Sequence, residues 1–125
     1  MSEVKEEIKL AKKSLQDLEI VGEASLRLKY TTLYFAAYHA ARAALLNLKY
    51  SPKSHSGIDS LVHNILLREK GKIEPEEASL FSKLKTRREQ ADYETGFYGS
   101  EEEFEELYKK SKNLIDSLIE IAEED

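Results

Sequence analysis

Apolar residues along the chain recur at steps of three and four, in long stretches separated by short runs containing glycine, proline or serine. That period aligns one face of an α-helix against a core. Val4, Ile8, Ala11, Leu15 and Leu18 form the first stripe, with Ser2 as its candidate N-cap and Gly22 as its interruption. A second stretch runs from about Glu23 to Leu48, and between Leu33 and Leu46 its only strongly polar residues are His39 and Arg42. A helix that is apolar on nearly every side belongs at the centre of a bundle. Ala36, Ala37, Ala40, Ala41, Ala43 and Ala44 carry little bulk, so a neighbouring helix or a second subunit can approach closely. Ser51-Pro52 is expected to stop this helix, since proline lacks the amide hydrogen and clashes with the preceding turn.

Ile58, Leu61, Val62, Ile65 and Leu66 make the third stripe, preceded by Ser56 with Asp59 three residues on, a capping-box-like pair, and closed by Gly71. Pro75 suits a first helical position, and Glu76 and Glu77 complement the positive end of a helix dipole. Phe81, Leu84, Arg88 and Ala91 mark the inner face of that fourth helix. Beyond the loop Thr95-Gly96-Phe97-Tyr98-Gly99, Ser100 and Glu103 form a second capping box. Phe104, Leu107, Tyr108, Ser111, Leu114, Ile115, Leu118 and Ile119 continue from it as the last stripe. The pattern predicts an all-α fold of about five helices, one domain over residues 1–125, without internal repeats.

Composition narrows the function classes. The absence of Cys excludes a disulfide scaffold, a thiolate metal site and a cysteine nucleophile. Met-Ser-Glu-Val-Lys-Glu-Glu opens the chain with charge instead of a secretory apolar run, and no stretch approaches a membrane span. A soluble, cytoplasmic protein is the expectation. Net charge is −5, but its distribution is uneven: residues 27 to 88 hold 12 Lys/Arg against 5 Asp/Glu, whereas residues 89 to 125 hold 3 against 13. The basic middle could meet phosphate and the acidic end could not.

Nucleotide-loop, zinc-protease and EF-hand patterns are all missing, so neither a cofactor nor a metal is expected. His63 lies just off an apolar stripe and reads as a solvated surface residue. His39 sits in the most apolar helix, as a hydrogen-bonded core imidazole or as a ligand-contacting one. His55 precedes a helix start beside Lys53, Ser54 and Ser56, a place that could take an anion. Tyr34 and Tyr38 are four apart on one helix face, suited to core contacts or to base stacking. Arg88 is the anomaly: its phase carries a guanidinium inward, where an unpaired charge is expensive. Asp92, four residues on, can neutralise it, or its planar fork can serve phosphate oxygens.

Three strings carry a family resemblance: Tyr34-Phe35-Ala36-Ala37-Tyr38-His39-Ala40-Ala41-Arg42-Ala43-Ala44-Leu45-Leu46, then Pro52-Lys53-Ser54-His55-Ser56-Gly57, then Arg88-Glu89-Gln90-Ala91-Asp92-Tyr93. In this order and spacing the chain resembles the HEPN domain family, more narrowly its small stand-alone branch. The resemblance implies a helical bundle with up-and-down character, often a homodimer, acting on or beside RNA or nucleotides in toxin, defence or RNA-processing systems. Many such proteins are metal-independent endoribonucleases; others are noncatalytic partners of a minimal nucleotidyltransferase. The ribonucleases carry an Arg, four to six intervening residues and a His. Arg88 matches the Arg, but the fourth-spacing position holds Tyr93 and the sixth holds Thr95. A phenol, ordinarily ionising near pH ~10, is a poor proton acceptor at neutrality, which leaves Tyr93 to orient a phosphate or donate a proton to a leaving oxygen, and leaves His39 or His55 to substitute if the fold brings one near Arg88. The resemblance thus implies a site with Arg88 and Tyr93 at its centre, and with Arg87, Asp92, His39, His55 and Lys53 as phosphate-binding or orienting neighbours.

Overall fold

The computed structural model describes residues 2–21, 26–93 and 99–125. Gly22, Glu23, Thr95, Gly96, Phe97 and Tyr98 lie outside the described residues, as does the side chain of Ser2. Among the described residues five helical segments follow one another: α1 (Ser2–Val21), α2 (Leu26–Asn47), α3 (His55–Leu61, continuing in wider π-helical turns through Val62–Glu69), α4 (Pro75–Tyr93) and α5 (Glu101–Ala122). No strand occurs among the described residues, and the fold is an all-α bundle.

The centre of the bundle is α2, which packs mainly on α1 and α5 and also on α4. All six of its alanines from Ala36 to Ala44 named above are fully buried, together with Leu33, Tyr34 and Leu45. Small side chains let three helices close on one, so the core is completed by larger residues from outside it: Phe81 and Leu84 of α4, and Leu114, Ile115 and Leu118 of α5.

Two helix ends differ from the expected ones. Ahead of Pro52, α2 stops at Asn47 through a left-handed turn at Lys49 (φ 74°). There the amide of Tyr50 donates to the carbonyl of Leu45 (2.9 Å) and that of Lys49 to Leu46 (3.0 Å), which satisfies carbonyls the helix leaves open. At the start of α3 the cap is Ser54, not Ser56: its hydroxyl accepts from the Gly57 amide at 2.9 Å, and Asp59 is turned to another partner. Other ends agree with expectation. Gly71 (φ 58°) terminates the π-helical segment, and the Ser100 hydroxyl accepts from the Glu103 amide at 3.0 Å to start α5. The wide turns of Val62–Glu69, seen in the Lys70 amide reaching back five residues to Ile65, have no signature in the apolar spacing.

Candidate functional site

Arg88 projects from α4 toward α2, as its phase with Phe81 and Leu84 requires. Its guanidinium carbon lies 5.2 Å from the centre of the Phe35 ring, 5.7 Å from that of Tyr34 and 5.9 Å from that of Tyr93. Aromatic faces are electron-rich and stabilise a cation that has lost most of its water. Arg88 Nε stands 2.8 Å from Asp92 Oδ2, with the side chain only 16% exposed. The N–H axis misses that oxygen, so the two form an ion pair without an aligned hydrogen bond. Asp92 is held from behind by Thr31, whose hydroxyl donates to Oδ1 at 2.7 Å. The two terminal nitrogens of Arg88 have no protein acceptor among the described residues and reach solvent. Thus Asp92 balances the charge while the fork stays free.

His55, at the start of α3, is brought to the same place. Its Nδ1 is hydrogen-bonded to the Tyr34 hydroxyl at 2.8 Å, and its ring lies 4.6 Å from Tyr38 and 5.9 Å from Phe35. Tyr34 and Phe35 therefore border both the guanidinium and the imidazole. Burial lowers the His55 pKa below the ordinary histidine value; Arg88, Lys85 and His39 lower it further and Glu89 opposes them. Burial raises the Tyr34 pKa, with Arg88 opposing, so the phenol keeps its proton throughout the neutral range.

The aromatic strip continues along α2. His39 contacts Tyr38 edge to face at 5.0 Å, and its Nδ1 lies 2.7 Å from Oε2 of Glu7 on α1. Arg42 donates to the other oxygen of the same carboxylate. Glu7 is almost fully buried, so its two cationic or donor partners are what make its burial tolerable.

Residues 4–122 match the family model of the HEPN domain. The chain belongs to the HEPN domain family. A relative in Methanocaldococcus jannaschii, "Putative toxin MJ0605", is 29% identical over 117 residues, covering 93% of this chain and 86% of its own length. The chain is thus a HEPN protein with a likeness to one named as a toxin.

Not every residue expected at the HEPN site is brought to it. Arg87 turns to the other side of α4, where it donates to Gln90 (3.0 Å), pairs with Glu103 of α5 (2.9 Å) and lies over the Tyr30 ring (5.2 Å). Lys53 is exposed on the connection ahead of α3. Tyr93 does reach the site, its ring 5.9 Å from the Arg88 guanidinium, but is 75% exposed at the end of α4. His63 is not a free surface residue: its Nε2 is bonded to Ser82 (2.8 Å), whose hydroxyl donates to Asp59 (2.7 Å), tying the third helix to α4. That proton direction is opposite to the one a serine nucleophile needs. A groove of about 830 Å³ between α4 and α5, around Leu80, Leu107 and Leu114, shares no residue with the Arg88 cluster.

Glu7, Thr31 and Lys85 join the site's surroundings without having stood out in the sequence, whereas Phe35, Arg42 and Glu89 stood in the strings that carry the resemblance without an assigned role. For Glu7 a signal existed, since it lies in helical phase between Val4 and Ala11 and so points inward. Among the described residues no group of three or more His, Asp or Glu side chains is disposed to hold a metal ion, and no helix is long and apolar enough to cross a membrane.

Proposed function

We propose that this HEPN protein is a toxin-type endoribonuclease that grips an RNA backbone phosphate with Arg88 and works as a homodimer. The observation that carries the reading is the free fork of Arg88: a guanidinium held by three aromatic rings and one off-axis carboxylate, with both terminal nitrogens open. Planar, bidentate donors of this kind match two phosphoryl oxygens. Half-exposed Phe35 and Tyr38 beside it offer ring faces on which an unpaired base can stack. In the reaction the ribose 2′-hydroxyl attacks the adjacent phosphorus, and Arg88 stabilises charge developing on the phosphoryl oxygens. Asp92 orients Arg88, and exposed Tyr93 borders the phosphate. The toxin-type assignment draws support from the archaeal relative.

The test is cleavage of labelled single-stranded RNA by the full chain in chelator-treated buffer, beside Arg88→Ala. Cleavage that Arg88→Ala abolishes, with binding weakened and the salt slope of binding reduced by about one, supports the reading. Binding of RNA without cleavage points instead to a noncatalytic partner of a nucleotidyltransferase. An unaltered Arg88→Ala variant overturns the role of the cleft.

A further inference from the structure

We infer that His55 is the proton acceptor of this site, supplying from α3 the imidazole that the α4 segment after Arg88 lacks. The inference rests on the ribonuclease reading above and extends it to a residue outside the Arg88–Tyr93 segment. Its basis is a shared pair of rings: Tyr34 and Phe35 lie against both Arg88 and His55, so an oxygen donor adjacent to a phosphate on Arg88 falls beside the imidazole. The ring is fixed on one edge only. Nδ1 meets the buried Tyr34 hydroxyl, while Nε2 has no protein partner among the described residues and is open to solvent. When Nδ1–H donates to the Tyr34 oxygen, Nε2 presents its lone pair outward, which is the form a base must take.

The lowered pKa agrees with that geometry, because it keeps His55 unprotonated at neutral pH beside a cation. The groups that face it are Tyr34, Tyr38 and His39 of α2, and Lys85, Arg88 and Glu89 of α4. In the step, Nε2 takes the 2′-hydroxyl proton as the 2′-oxygen–phosphorus bond forms. The bond from phosphorus to the 5′ oxygen breaks, and water gives that oxygen a proton. The products are a 2′,3′-cyclic phosphate end and a 5′-hydroxyl end, and His55 returns its proton to solvent. Nothing is oxidised or reduced.

Single-turnover cleavage of a short single-stranded RNA by the full chain, with the product ends identified, tests this in the absence of metal. His55→Asn should cleave at least about a hundredfold more slowly while binding RNA within a few-fold of the parent. Added imidazole should restore part of the cleavage to His55→Ala, which a merely structural histidine would not allow. The parent's kcat/KM should fall on acidification below the ordinary histidine value of ~6.5, a readout that stands even if the variants do not fold. Parent-like cleavage by His55→Asn, or a parent profile that shows no fall on acidification below pH ~6.5, overturns the role of His55 and leaves the Arg88 reading intact. A parent that cleaves no RNA overturns both.

Discussion

Several buried polar side chains in this molecule find their partners across helices, and the consequences are sharpest at His55 and the two buried tyrosines. Burial and Arg88 favour the neutral imidazole in the folded state, so the unfolded chain binds the His55 proton first as pH drops. The associated stability is present above the ordinary histidine pKa of ~6.5 and is lost as pH falls through the lower folded value. A urea-unfolding series from pH 7.5 down to about pH 5 should therefore show a shallower loss in His55→Asn than in the parent. Tyrosine gives the opposite window. Burial raises the pKa of Tyr30 and of Tyr34, so the unfolded chain ionises first and stability declines as pH rises above ~10. Tyr30→Phe should reduce that alkaline loss, followed by circular dichroism at fixed temperature.

Helix by helix, ends and close approaches decide stability. Ser100 holds the first turn of α5 by accepting the Glu103 amide, with three glutamates in that turn facing the helix dipole. Ser100→Ala should cost about 1 kcal/mol in urea unfolding, with the midpoint lowered and the slope unchanged. Along α2 the sensitivity is to bulk. Ala40 is fully buried in the core cluster, so Ala40→Leu forces α2 and its neighbours apart. The expected penalty is about 1 to 3 kcal/mol or more, with near-ultraviolet circular dichroism reporting disturbed aromatic contacts.

For the molecule as a whole, the separation of charge along the chain is partly folded back on itself. The acidic end sends Glu101 to Lys29, Glu103 to Arg87 and Glu124 to Lys72, each within 2.9 Å, and so neutralises part of the basic middle. The Arg88 fork is not among the cations so engaged. Lys29 and Arg87 are mostly buried, so losing their carboxylates costs more than an exposed pair would. Glu101→Gln combined with Glu103→Gln should lower stability by about 1 to 3 kcal/mol, and added salt should narrow the gap between parent and variant. RNA binding at the Arg88 cleft is expected to survive that double change, because neither glutamate touches the cluster.

Local order decided much of this protein before any contact was known. Spacing of apolar residues dictates helices, the alanines of α2 require a crowded centre, Ser100 and Gly71 mark helix ends, and the phase of Arg88 with Phe81 and Leu84 sends a cation inward. These features depend on residues within a few positions of one another, which a helix of fixed pitch arranges without outside help. Other features were out of reach of that logic. The turn at Lys49, the wide turns after Leu61, the departure of Arg87 toward Glu103 and the bond between His63 and Ser82 all depend on which neighbours surround each backbone or side chain. The candidate site is the clearest case. Nothing in the pattern pairs His55 with Tyr34 or Glu7 with His39; only the stacking of α1, α3 and α4 around α2 places those atoms within hydrogen-bond reach, where burial and neighbouring charge then set what each can do.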